Sequence, residues 1–376
     1  MSQSASALFK PCRLRGVTVP NRIVVSPMSQ YSAREGVADD WHFAHLGRLA
    51  LGGAGIVFTE ATAVEAHGRR THGDLGIWTD DHVPPLERIA RFLHAQGARA
   101  GIQLSHCGRK GSEQRVWEGK GPLGPAEAAR GEGPWPLVAP SAIPVGEGWV
   151  VPDALDEAGI AKVKHAFHAA ARRAASAGFD VAEIYGGHGF LIHQFLSPLS
   201  NRRQDAYGGP LANRTRFAFE VVEAVRDAWP EERPLFFRCS ATDWAEGGWT
   251  LDDTVELARG LKMRGVDAVV CSSGGMTGPV SLMTIPQHPG YQVPFAERVR
   301  KEAGIATVAV GLIREAVQAE AIVREGRADF VALARELLFN PNWPLHAARE
   351  LGVDPDFALW PRQYGWWLEQ REKKPG

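Results

Sequence analysis

The chain has 376 residues, 44% of them hydrophobic and 23% charged, and a formal net charge of −1. This is ordinary globular composition, so a sizeable core can form; no basic block argues for nucleic acid and no long apolar run for a membrane span. The length exceeds the ~250 residues of a plain eight-fold barrel yet is short for two separately cored domains, so a single domain over 1–376 with insertions is expected.

The start, Met1 to Phe9, lacks both a basic n-region and an apolar stretch, so secretion is not expected. The four cysteines, Cys12, Cys107, Cys239 and Cys271, show no CxxC spacing. That argues against structural zinc and iron–sulfur sites, and reduced thiols fit the cytoplasm. The 41 Gly suit many tight βα turns, and the 12 Trp suit a flat ligand or a packed interface.

In chain order, an apolar run at 22–25 stops at Ser26-Pro27, and helical spacing over 40–51 completes a strand–helix unit. The alternation recurs at 55–59 with a helix over 84–96, and at 99–104 before a long excursion. That excursion, 105–153, is rich in Gly and Pro without periodicity, as lids and partner-contact segments are. A helix over 155–177 ends at Gly178. Strands at 181–184, 235–238, 268–271, 307–311 and 330–334 follow, each with its helix. The tail, 360–376, carries Tyr364, Trp366 and Trp367, too aromatic for a solvated end.

Strands that are apolar throughout are buried on both faces, so eight such units predict a closed (β/α)8 TIM barrel of α/β class. The competitor is a doubly wound sheet. Against it, no strand runs into a Gly-x-Gly-x-x-Gly turn, and Gly52-Gly53-Ala54-Gly55 precedes its strand.

Barrel chemistry sits where strands end. In Asp180-Val-Ala-Glu-Ile-Tyr185-Gly-Gly-His188, the Gly186-Gly187 pair breaks the strand and leaves a phenol and an imidazole on one loop. Both rings can donate to one substrate oxygen; a Gly-rich turn whose His188 merely caps the next helix stays open at this point. The other strand ends supply Ser26 to Ser29, Glu60-Ala61, Gln103, Arg238, Ser272 to Gly275, Gly311 and Ala334-Arg335. Gln103 and Arg238 close apolar strands and need partners if buried. The Gly and Arg of the last two strands lie where barrels commonly hold a phosphate. Together these describe a flat, polar-edged, phosphate-tailed ligand.

Ser26-Pro27-Met28-Ser29-Gln30-Tyr31, 55–63, Gln103 to Lys110, 184–205, Arg238 to Trp244, Cys271 to Gly275 and Ala334 to Leu338 resemble the Old Yellow Enzyme family. The resemblance runs from about Leu8 to Leu368 and is nearest the bacterial, thermophilic-like class of ene-reductases and xenobiotic reductases. It implies non-covalent FMN, with Ser26, Pro27, Met28, Ser29 and Ala61 along the ring and His188 against both ring and substrate. Gln103 and Arg238 would meet its pyrimidine edge; Ser273, Gly274, Gly311, Ala334 and Arg335 its phosphate. NADPH, or NADH, would be the reductant, and an activated alkene or quinone the acceptor. Tyr31, Lys110, Tyr185, His188, Phe190 and, through a neighbouring subunit, Trp367 would surround the substrate. A homodimer or homotetramer is expected.

Three positions depart from the family's pattern. Ser29 stands where a thiol usually touches the flavin, which predicts a shifted potential with activity retained. Tyr185 replaces the first histidine of the substrate-oxygen pair. Phe190 replaces the usual proton-donating Tyr, leaving Tyr31, Tyr185 or water for that role. His42 and His45 read as core or surface residues, with no carboxylate placed to complete a metal site, and Glu60 as a partner of the flavin loops. Two rivals remain: a metal-dependent aldolase on the same barrel, and a flavin-holding sensor or scaffold with little turnover.

Overall fold

The structure is a computed structural model that describes residues 6–276, 285 and 287–373. Eight parallel strands close into a barrel: β1 (Ile23–Val25), β2 (Ile56–Ala63), β3 (Arg99–Ser105), β4 (Val181–Gly186), β5 (Leu235–Ser240), β6 (Ala268–Ser272), β7 (Ala306–Ala309) and β8 (Phe330–Leu333). β8 pairs with β1, with Val331 opposite Ile23, so no edge is left open. The eight predicted strands are these eight, and the α/β barrel is the observed fold.

Helices α1 (Asp40–Leu51), α2 (Val83–Ala95), α3 (Glu157–Ser176), α4 (Arg216–Ala228), α5 (Leu251–Met263), α6 (Val293–Ala303), α7 (Ala316–Arg324) and α8 (Trp343–Glu350) cover the outside. Their starts are fixed by side chains: Asp39 accepts from the Trp41 and His42 amides, and Asp156 from that of Gly159. Between β4 and α4 the chain makes a short extra helix, Leu191–Leu196, with every residue buried. The excursion holds a two-residue parallel pairing of Val138–Ala139 with Asp153–Ala154 and a short helix, Pro125–Ala129. The tail forms α9 (Arg362–Lys373).

Inside the barrel, polarity changes with height. The lower interior is an apolar cluster of Val24, Ile56, Phe58, Phe236, Val270, Val308 and Phe330. An N-terminal hairpin, Cys12–Leu14 paired with Val17–Val19, packs Val19, Cys12 and Leu14 against it and plugs that end. Higher up, successive inward positions are Gln103 on β3, Glu183 on β4, Arg238 on β5 and, just past β1, Ser26. Alternation along a strand carries each apolar floor residue up to a polar residue at the mouth.

One irregularity matters for the site. The β2–β3 register shifts between Phe58 and Ala61: Phe58 faces Gly101 and Ala61 faces Gln103, so β2 carries one extra residue. That bulge turns Glu60 off the inner face and puts Ala61 there instead. Glu60 accepts the Gln30 amide at 3.0 Å, tying it to the loop after β1.

His42 and His45 are buried, as read from the sequence, but the reason given for that reading needs correction. Carboxylates do approach His42: Asp39 at 2.7 Å from Nδ1 and Glu60 at 3.2 Å from Nε2. They flank a buried ring as its partners, and among the described residues no three His, Cys, Asp or Glu side chains gather to hold a metal. No helix among the described residues is long and apolar enough to cross a membrane.

Candidate active site

Two cavities open at the C-terminal ends of the strands and meet at His188 and Arg238, which line both. The first, about 150 Å³, is walled by Pro27, Ser29, Ala61, Gln103, Tyr185 and Phe190, with Arg70, Lys110, Glu113, Val145 and Trp149 on the outer side. The second, about 410 Å³, runs over the ends of β6 to β8 and is lined by Ser26, Ser273, Gly311, Ala334 and Arg335, together with Tyr291, Gln292 and Arg314. Side chains from all eight strand ends, up to 310 residues apart in sequence, thus share one elongated hollow.

The β4 loop is held tightly. His188 has a φ of 51°, a left-handed backbone that non-glycine residues rarely adopt, and its amide donates to Ser240 Oγ at 2.8 Å. The Gly189 amide donates to His193 Nδ1 at 2.9 Å, and His193 Nε2 lies 3.0 Å from the buried Asp243. The loop after β6 presses against it so closely that a Cβ on Gly275 would lie 2.7 Å from the His188 Cα. Gly275, at φ 87°, is therefore required twice, by conformation and by space.

The rings of Tyr185 and His188 bond each other: Oη and Nδ1 are 2.7 Å apart. Burial, reinforced by the Arg238 charge, holds the His188 pKa well below the usual range, so the imidazole is neutral. One hydrogen lies between the two rings whichever supplies it. The pair therefore has a single hydrogen left for a ligand, which corrects the expectation that both donate to one oxygen. Phe190 packs on Tyr185 at 4.4 Å between centroids and adds no polar group.

Lys110 is buried beside this loop, with Nζ donating to the carbonyl oxygens of His188 (3.0 Å) and Gly275. Burial first, then Arg70 and Arg109, push its pKa down to about 7. Tyr31 stands one layer back. Its Oη accepts from Arg70 Nη1 at 3.2 Å, and Arg70 in turn grips Glu113 through Nε (2.5 Å) and Nη2 (2.7 Å). Burial pushes the Tyr31 phenol up to about 12.

Of the expected cofactor residues, Ser26, Pro27, Ser29, Ala61, Gln103, His188, Arg238, Ser273, Gly311, Ala334 and Arg335 line the hollow. The Met28 side chain packs against the core and lines neither cavity, which leaves its backbone for the role expected of it. Gly274 makes the turn after β6 at φ 72°, its amide donating to the Thr242 carbonyl. Trp367 lies 68% exposed on α9, over a separate groove with Trp366 and Trp360, and does not line the hollow of its own chain. Sequence reading missed Arg70, Glu113, Trp149, Tyr291, Gln292 and Arg314. Nothing in local pattern marks Arg70 and Glu113, 43 residues apart, as a pair.

The residues fit a flavin nucleotide. Arg238 donates from Nη1 to Ser26 Oγ at 2.8 Å, while its buried Nε has no partner among the described residues and needs an acceptor. Gly311, at φ 113°, lines the second cavity where a Cβ would come within 3.0 Å of the Gln292 side chain, and the Arg335 guanidinium offers a planar fork suited to phosphate. A (β/α)8 barrel with a cationic, amide-edged ring site at its mouth and a Gly/Arg-lined extension over its last strands defines a flavin-dependent oxidoreductase.

The chain belongs to the NADH:flavin oxidoreductase / NADH oxidase family, whose profile matches residues 7–353. It is 48% identical over 348 residues to an NADPH dehydrogenase of Geobacillus sp. (strain WCH70), covering 92% of this chain and 95% of that one. Among solved structures, a morphinone reductase superposes with a TM-score of 0.76 at 28% identity, covering 93% of this chain and 91% of that one. A 2-naphthoyl-CoA reductase in complex with 2-naphthoyl-CoA superposes with a TM-score of 0.81 at 26% identity, over 92% of this chain and 52% of that one. The protein is thus an enzyme that uses FMN and NAD(P)H, which displaces the aldolase and scaffold rivals.

Proposed function

We propose that the enzyme is an ene-reductase, which reduces alkenes conjugated to a carbonyl, imide or nitro group, and quinones, at the expense of NADPH or NADH. Bound FMN would supply the two-electron chemistry, taking a hydride from the nicotinamide and returning it to the acceptor's β-carbon. The observation that carries this reading is the 2.7 Å contact of Tyr185 Oη with His188 Nδ1 beside a cavity walled by Ala61 and Phe190, which leaves the pair one hydrogen for a ligand.

The chain's own residues do the rest. The pair's free hydrogen binds the acceptor oxygen and stabilises the charge that develops there, an effect worth about 3–4 kcal/mol per donor in comparable sites. Phe190 and Trp149 provide apolar walls for a flat substrate and exclude water. Phe190 cannot give a proton and the one free hydrogen of the Tyr185–His188 pair is engaged by the acceptor oxygen, which leaves Lys110 as the acid lining this cavity. Two of its three hydrogens are held by carbonyls, and the third is left for the cavity it lines. A lysine titrating near neutrality is matched to proton donation at that pH.

Reduced thiols fit work in the cytoplasm. The exposed aromatics of α9 suit a homodimer or homotetramer, which light scattering of the purified enzyme would test; a monomer would contradict it. The function itself is tested by anaerobic stopped-flow. NADPH bleaches the yellow enzyme, and cyclohexenone, a maleimide or a quinone restores the colour. An enzyme that NADPH bleaches and oxygen alone recolours would end the ene-reductase reading.

A further inference from the structure

Glu183 is 1% exposed on the inner face of β4, in register with Gln103 on one side and Phe236 on the other. Its Oε1 accepts from Gln103 Nε2 at 2.5 Å. A carboxylate only accepts, so the Gln103 amide must turn its NH2 group down toward Glu183. Its carbonyl oxygen is then the end left for the cavity that Gln103 lines.

Among the described residues no cation pairs with this carboxylate directly. The Arg238 guanidinium is near enough to act on it by charge, yet donates to Ser26 Oγ instead. An acid buried without an ion pair is costly to fold around, and FMN held by Gln103 and Arg238 would bring a change of charge close to it on reduction. We propose that Glu183 is a positioning residue for the flavin. From below it sets Gln103 as an acceptor for the flavin imide N–H, and it takes up a proton when reduction places negative charge on the cofactor's pyrimidine edge. The inference rests on the placing of that edge at Gln103 and Arg238.

The charged and titratable neighbours are few. Gln103 on β3 is neutral, Arg238 on β5 is cationic, and Tyr185, two residues along β4, also feels the Glu183 charge. The inward residues around and across the barrel, Phe58, Phe236, Val270, Val308 and Ala332, are apolar. Burial accordingly pushes the carboxyl up to about 7, against the opposing effects of Arg238 and the Gln103 amide. In the oxidised enzyme at neutral pH the acid is thus poised between its two forms. Reduction by NADPH adds two electrons and one proton to the flavin. The new negative charge raises the carboxyl further, and Glu183–COO⁻ takes one proton from solvent to become Glu183–COOH. Around neutrality, two protons then accompany two electrons, where the flavin alone takes one.

The test is the midpoint potential of wild-type and Glu183→Gln holoenzyme, measured anaerobically with reference dyes from pH 5.5 to 9. The two curves should coincide at the acid end, where the wild-type carboxyl is already protonated. Through the window they should diverge. The variant becomes the easier to reduce, by about tenfold in the reduced-to-oxidised ratio per pH unit of window, or about 30 mV for a two-electron couple. A purely structural role would displace the variant equally at every pH, so parallel curves would overturn the proposal. Should the variant fail to hold FMN, wild type alone decides. Its reduced-minus-oxidised infrared spectrum near pH 7 must gain a protonated-carboxyl C=O band, and no such band means no uptake at Glu183. The placing beneath the proposal has a separate check: if Arg238→Met and Gln103→Ala bind FMN as tightly as wild type, that placing is wrong whatever the potentials show.

Discussion

Replacing Tyr185 with His should tighten the binding of phenols, although it removes a hydroxyl from the site. In the native enzyme Tyr185 Oη lies 2.7 Å from His188 Nδ1, so a hydrogen that could meet a ligand is spent between the rings. An imidazole at 185 stops well short of where the phenol oxygen sits. It leaves His188 free and adds a second donor aimed at the cavity that both residues line. A phenolate bound there would accept two hydrogen bonds instead of one. A hydrogen bond to a charged group is worth about 1.5–3 kcal/mol, and 1.4 kcal/mol is tenfold in affinity, so the variant should bind roughly 10- to 100-fold tighter. The assay is titration of the oxidised enzyme with para-substituted phenols at pH 8, following the long-wavelength absorbance of phenolate stacked on flavin. An unchanged Kd would refute the one-donor account, because it would mean the native pair already presents both rings.

Lys110→Met should slow reoxidation by cyclohexenone by roughly 10²-fold or more, as expected for loss of a general acid, while reduction by NADPH and reoxidation by a quinone stay within a few-fold. In wild type the cyclohexenone step should fall as pH rises through about 7, since the protonated lysine is the donor and is lost above that pH; a flat profile from pH 6 to 8.5 would count against it. Ser29→Cys should retain FMN and activity but move the flavin potential, since Ser29 lines the cavity proposed for the ring and a thiol is the more polarisable group. Identical potentials would leave that residue without the role assigned to it.

The barrel was legible because its strands are buried on both faces and so read as unbroken apolar runs. The bounds differ where pattern and geometry part. β2 runs on to Ala63 through Thr59, Glu60 and Thr62, polar residues a strand rule discounts, because the bulge sends each to a partner. The hairpin at Cys12–Leu14 and Val17–Val19 escaped notice, although alternation about Gly16 was there to be read. Site residues at strand ends could be named one by one, but not their mutual contacts. Gln103 and Glu183 are 80 residues apart, and only closure of the barrel sets them side by side. The same holds for the carboxylates about His42, one of which arrives from β2. Tyr185 and His188 are the exception, since a three-residue spacing across two glycines already allows their rings to meet. Trp367, expected at a neighbouring subunit's site, lies on an outer helix face of its own chain.

The central claim is that strand ends from around the barrel enclose one FMN, with its ring at Gln103 and Arg238 and its phosphate over β7 and β8. The most direct measurement is the affinity of Arg335→Ala apoenzyme for FMN and for riboflavin, which lacks the phosphate. The account predicts FMN weakened by roughly 10- to 100-fold, the loss of one charge-assisted contact, with riboflavin unchanged. Equal losses for the two flavins, or none for either, would contradict it.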